Sequence, residues 1–221
     1  MKKSMIVSRK LYLLPGIAAV ALLAGCASGN YQKGAAAGAG LQASADKIDK
    51  GSGLIDAAIA SLNDLVNNPG ELPAQFKKFG AAVGDLESTA KDVSSKVTAM
   101  SQEGNAYFTA WDQQLAQIQN EDIKSRSANR KADVQKKFAA IKKSYEEASG
   151  EFKPFMSDLK DIQTALATDL TPGGLDAIKS SASRATRRAG TVKTTLGKLA
   201  GQFRDLGVAM SASVPQPAAT N

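Results

Sequence analysis

Histidine is absent from these 221 residues, and cysteine occurs once. The first absence removes the commonest general base and the commonest metal ligand, and with them most hydrolase, metalloenzyme and triad chemistry. The second excludes a disulfide within the chain. Apolar runs are short: the longest, from Leu11 to Ala24, has about 14 residues and is interrupted by Pro15 and Gly16. A helix needs ~20 to cross a bilayer, so this run is not a permanent span.

The run has a definite setting. Before it come Lys2, Lys3, Arg9 and Lys10 with no acidic residue, and a basic segment followed by a short apolar one is a secretion signal. The residues that close it, Leu23, Ala24, Gly25 and Cys26, resemble the lipobox of bacterial lipoproteins. That resemblance implies cleavage between Gly25 and Cys26, a diacylglycerol thioether on the sulfur, palmitate-like acylation of the new amino terminus, and attachment to a membrane without crossing it. More than one acyl chain is needed for a stable anchor. Ala27 stands where aspartate would signal retention at the inner membrane, so the expected address is the periplasmic face of the outer membrane.

Once residues 1–25 are removed, 24 basic residues face 21 acidic ones, a net of +3 rather than the +7 of the whole chain. So small an excess argues against nucleic acid as a partner. The charge is divided unevenly: residues 27–123 carry 7 basic and 12 acidic groups, residues 124–221 carry 17 and 9.

Small and glycine-rich residues follow the cysteine, so 26–40 reads as a flexible lipidated tether. Residues 211–221, with two prolines and no periodicity, read as a disordered tail. Between them, over 41–210, apolar residues recur at spacings of three and four, the signature of helices packed on helices. The steps are Leu41 to Val66, Phe76 to Ile118, Val134 to Leu166, and a strict heptad from Leu175 through Leu196 and Phe203 to Met210. The turns NNPGELP and TPGG force two hairpins, 41–118 and 126–210. Pro154 lies inside the third run and predicts a kink or restart between Gly150 and Pro154 with the same face buried.

The polar stretch 119–131 has neither proline nor glycine. If it turns, the product is an all-α, elongated antiparallel four-helix bundle. If it continues as a helix, the product is a rod of more than ~140 Å with a helical hairpin at each end. The bundle is preferred, because two helices alone bury too little and the acidic hairpin attracts the basic one.

Three local groups invite a functional reading. Tyr107, Phe108 and Trp111 share one helix face and either line a ligand pocket or, as such stripes more often do, fill a core. Lys124, Arg126, Arg130 and Lys131, with Arg184, Arg187 and Arg188, form basic stretches that suit lipid phosphates, lipopolysaccharide or cell-wall carboxylates, or else balance the acidic hairpin. Asp158, Asp161 and Asp169 suggest paired carboxylates, yet Lys153 and Lys160 flank them and a structural role is expected. No catalytic residue, metal ligand or cofactor is assigned.

YQKG after the cysteine, YF-x-x-W followed by I-x-N-x-x-I, PFMSDLKDIQTAL-x-x-DLTP-x-G and the closing LG-x-L and F-x-x-LGVAM together resemble an uncharacterised family of bacterial lipoproteins known as a domain of unknown function. The resemblance implies an exported, helical lipoprotein and carries no activity with it. The expected function is therefore a non-enzymatic, lipid-anchored structural or adaptor protein whose partner is another envelope protein or a second copy. The alternative is a module whose basic second hairpin binds an anionic lipid, lipopolysaccharide or cell-wall polymer.

Overall fold

Four helices make up nearly all of residues 29–211, the part of the chain that the computed structural model describes. They are α1 (Gly29–Asn67), α2 (Leu72–Leu115), α3 (Glu121–Thr168) and α4 (Pro172–Met210). Each packs on two neighbours in the ring α1, α2, α3, α4, and neither diagonal pair comes together. Successive helices run antiparallel, so the architecture is the four-helix bundle and not the rod. The 44 residues of α2 and 48 of α3 extend ~66 and ~72 Å at 1.5 Å per residue. The α1–α2 and α3–α4 turns lie at one end, hereafter the hairpin end. The start of α1, the α2–α3 turn and the end of α4 lie at the other, the terminal end.

Local chemistry explains the turns. At the hairpin end, Gln75 accepts from the Gly70 N–H (3.0 Å) and donates to Asp64 (3.1 Å) and the Asn68 carbonyl (3.0 Å). Thr171 caps α4, its hydroxyl accepting from the Gly174 N–H at 3.2 Å, with Pro172 opening the helix, where its missing N–H costs nothing. The α2–α3 turn occupies 116–120. There α2 tightens, Gln117 N–H donating to Gln114 and Ile118 N–H to Leu115, and Asn120 caps α3 by accepting from the N–H groups of Asp122 (3.0 Å) and Ile123 (3.1 Å). The second hairpin thus begins at Glu121 rather than near 126, and most of the polar stretch is helix.

Of the kink or restart expected at Pro154 the restart is excluded, since α3 is continuous from Glu121 to Thr168, and the same face stays buried, at Ile141 and Ala148 before the proline and at Phe155 and Leu159 after it. Gly150, whose carbonyl loses its intrahelical donor to the proline, is exposed. The glycine-rich residues 29–40, read as part of a flexible tether, are instead the first turns of α1. Gly38 there lies against Gly207 of α4. A Cβ on Gly38 would come 2.8 Å from the Gly207 carbonyl oxygen, and one on Gly207 would come 2.9 Å from that of Gly38 and 2.9 Å from Gln42 Cγ. The Gln42 side chain can turn aside, but between Gly38 and Gly207 backbone meets backbone and cannot yield in that way. Gly207→Ala should therefore lower stability by about 2 kcal/mol through overpacking, even after the helix propensity alanine brings. Gly197→Ala, with nothing within 4 Å of the new methyl, should raise it by about 1 kcal/mol. Urea unfolding midpoints of the two variants measure the contrast.

The buried seam forms two clusters, one around Leu62, Phe79 and Phe155 towards the hairpin end, the other around Ile141, Phe203 and Leu206 towards the terminal end. The charge asymmetry is expressed between hairpins. Lys193 pairs with Asp56, Arg204 with Asp49 and Asp46, Lys160 with Glu87 and Lys131 with Asp112. Every such bridge among the described residues has its acid on the first hairpin and its cation on the second. Exposed pairs contribute little each.

Candidate functional site

Between Leu86 and Phe108, α2 buries no side chain. Its inward steps Ala90, Val93, Val97 and Met100 keep the heptad but are only half-buried. Val93, Val97 and Met100 pack only on the margin of the core, and α2–α3 is the least extensive of the four helix contacts. The result is a groove at the waist of the bundle, ≈ 630 Å³ in volume, open to solvent between α2 and α3 and floored by Ile48 of α1 and Leu196 and Leu199 of α4. It falls where the two core clusters meet, and Leu196 belongs to the margin of both. On α4, where the heptad is otherwise buried along its length, Leu196 and the terminal Met210 alone remain partly exposed. The opening above Leu196 is the reason.

The groove walls are apolar and its rim is charged, with Lys47 from α1, Glu87 and Lys91 from α2, and Lys153 and Lys160 from α3. Glu87 accepts from Lys160 at 3.0 Å across the α2–α3 seam and from Lys91 at 3.1 Å along its own helix. Those hydrogen bonds, that from Lys160 foremost, hold its carboxyl below the ordinary 4.5. A depressed folded value means that the latch contributes above the ordinary glutamate range and is lost as pH falls through the lower folded value.

A second cavity of ≈ 570 Å³ lies between α1 and α2 nearer the terminal end, with Tyr107 and Phe108 on its wall. Phe108 is otherwise core, edge-on to Phe138 with ring centres 5.7 Å apart. Tyr107 and Trp111 are half-buried, 5.5 Å apart, and the indole N–H of Trp111 donates to Ser127 Oγ at 3.0 Å, tying α2 to α3 across their turn. Burial pushes the Tyr107 hydroxyl above its usual value. The aromatic stripe is thus core at Phe108 and cavity wall at Tyr107.

The basic residues singled out from sequence do not converge. Arg130 donates to the Ala209 carbonyl, whereas Arg188 lies 21 residues earlier on α4, ~32 Å along the helix. Most are matched within the protein: Lys124 to Glu121, Arg126 to Asp122, Lys131 to Asp112, and Arg184 and Arg188 both to Asp158. Arg187 projects from α4 into solvent. Among the carboxylates, Asp158 is buried between two arginines, Asp161 is exposed, and Asp169 ends α3 and accepts from Thr171 at 2.6 Å. The three form no shared site, and among the described residues no group of three acidic, histidine or cysteine side chains is arranged to hold a metal. Gly25 and Cys26 lie outside the described residues.

Sequence reasoning missed the groove. Its signal is the drop in side-chain size at inward positions of α2, from Phe79 and Leu86 to Ala90 and Val93, within an unbroken heptad.

The model of a protein family, described as a protein of unknown function (DUF2959), matches residues 41–198. The chain belongs to the DUF2959 family. The DUF2959 region takes in the whole waist groove except Leu199, and it begins after the α1 turns that carry Gly38. No curated protein and no solved structure matches the chain.

Proposed function

We propose that this DUF2959 protein is a lipid-anchored, non-enzymatic helical post of the bacterial envelope, held at the periplasmic face of the outer membrane through Cys26 and serving as a structural or adaptor protein for another envelope protein. The observation that supports this most is a coincidence at the terminal end. The lipobox-like Leu23-Ala24-Gly25-Cys26 ends three residues before α1 begins at Gly29. The two exposed large hydrophobic side chains among the described residues, Ile123 (54 % exposed) and Val208 (48 %), are at the same end. Lys124, Arg126 and Arg130 follow Ile123 on the first turns of α3, interleaved with Glu121 and Asp122. Exposed apolar side chains among such charges suit the headgroup region of a membrane. An anchor here stands the bundle off the membrane, with the Gly/Pro turns ~60 Å away and free to meet a partner.

Photo-reactive side chains placed at Val208 and at Gly70 test this arrangement in intact cells. The first should trap lipid and the second a defined protein neighbour. Lipid adducts at Gly70, or no recurring protein at any position of the hairpin end, would overturn the reading.

A further inference from the structure

We infer that the waist groove is a binding site for one long-chain fatty carboxylate, its chain lying along Leu196 and its head meeting the lysines of the rim. This does not depend on the anchoring proposed above.

The shape comes first. Along α3 the groove runs from Tyr145 to Lys160, ~22 Å at 1.5 Å per residue, about the length of an extended long acyl chain. Its ≈ 630 Å³ lies in the range of small-ligand sites and suits a single chain rather than a two-chain phospholipid. The floor of Ile48, Leu86, Leu196 and Leu199 presents no charged group to the chain.

Charge selects the head. Four lysines and one glutamate stand on the rim. Lys91 and Lys160 share Glu87, while Lys47 on α1 and Lys153 on α3 have no carboxylate partner among the described residues and are exposed. With four lysines to one glutamate the rim is net positive, which favours an anionic head over a cationic one. Over 87–107 α2 has no buried side chain to lose, so a chain can enter without breaking the core clusters on either side.

The test uses the full chain carrying Cys26→Ser, so that no acyl group or detergent competes, and a fluorescent polyene fatty acid as the probe. Saturable binding with one probe per chain is expected. Hexadecanoate should displace it, and hexadecyltrimethylammonium, of equal chain length and opposite charge, should do so at least about tenfold less well. Lys47→Glu with Lys153→Glu should weaken binding about tenfold or more at low salt and less at high salt. Ala90→Trp, which fills the groove from its half-buried wall, should abolish it while circular dichroism shows the helices retained. Equal competition by the two amphiphiles would overturn the assignment, as would wild-type affinity in the lysine double variant. A dimer in sedimentation experiments that Ala90→Trp dissociates would also overturn it, by showing that a second copy covers the groove. Should Ala90→Trp unfold, the lysine variant and the pair of amphiphiles still decide.

Discussion

Cys26→Ser should release the processed protein from membranes into the soluble fraction without altering its helices. The expected loss is close to complete, because the membrane affinity of an acylated protein resides in its chains: each buried methylene contributes ~0.8 kcal/mol, and a single chain holds only marginally. Two or three chains on one residue bind effectively without exchange, and a serine at the same position carries none. Nothing else described here replaces them, since no helix among residues 29–211 is long and apolar enough to cross a membrane. Ile123 and Val208 are two side chains, enough to orient an anchored end but too few to retain it. The helices stay because the described bundle, from α1 onward, is built without the substituted residue. Fractionation of cells expressing each form, with circular dichroism on the soluble variant, provides both readouts. A processed variant that sediments with membranes as the wild type does would end the anchoring proposal.

Much of the bundle was legible because its determinants are periodic or local. The α4 heptad from Leu175 to Leu206 is buried at each step except Leu196, and the NNPGELP turn falls at 68–71 as glycine and proline require, whereas the turn expected at TPGG lies just before it at 169–171, Pro172, Gly173 and Gly174 forming the first turn of α4. The α2–α3 turn was harder, since it has neither residue. Its signal was of another kind: Asn120 followed by Glu121 and Asp122 is a cap with acids in the first helical turn, and that places the helix start directly. The start of α1 was misread for a physical reason as well. A run such as GAAAGAG looks like a linker when only its own propensity is considered, whereas its glycines are what permit α4 to approach, and the partner surface at Gly207 lies 169 residues away from Gly38 in the chain. Propensity is a local quantity and tertiary packing overrides it.

The groove was the least legible feature. Heptad spacing reports which positions face inward, not whether the side chains there are long enough to close the space between helices. Ala90 and Val93 satisfy the pattern as well as Phe79 and Leu86 do. The basic residues show a related limit: counting lysines and arginines over 124–204 reveals an excess, but only the fold reveals that Arg184 and Arg188 are held by Asp158, while Lys153, noted in the sequence only as a flank of the aspartates, stands on the rim of a cavity.

The pairing at Asp158 leads to the largest expected effect on stability. Its side chain is 9 % exposed, with Oδ1 accepting from Arg184 Nε at 3.1 Å and Oδ2 from Arg188 at 2.8 Å. Arg188 also donates to the Pro154 carbonyl at 3.0 Å, and Arg184 to Ser181 Oγ at 3.1 Å. Both carboxylate oxygens are thus engaged by arginine. The arginine side chains are 45 % and 38 % exposed, so the two halves of the cluster differ in what happens when a partner is removed. Arg184→Met with Arg188→Met keeps the apolar stems but strands a carboxylate away from water, and should cost about 3 kcal/mol, as broken buried pairs do. Asp158→Asn leaves the arginine heads able to turn to solvent and retains an acceptor oxygen, and should cost about 1 kcal/mol. Either single arginine variant should fall between, because Asp158 keeps one donor. Urea unfolding of the four proteins distinguishes this from an ordinary surface network, in which every substitution would stay within about 1 kcal/mol of the wild type. A larger loss for Asp158→Asn than for the double variant would mean that the arginines, not the aspartate, are the groups the fold has sealed from water.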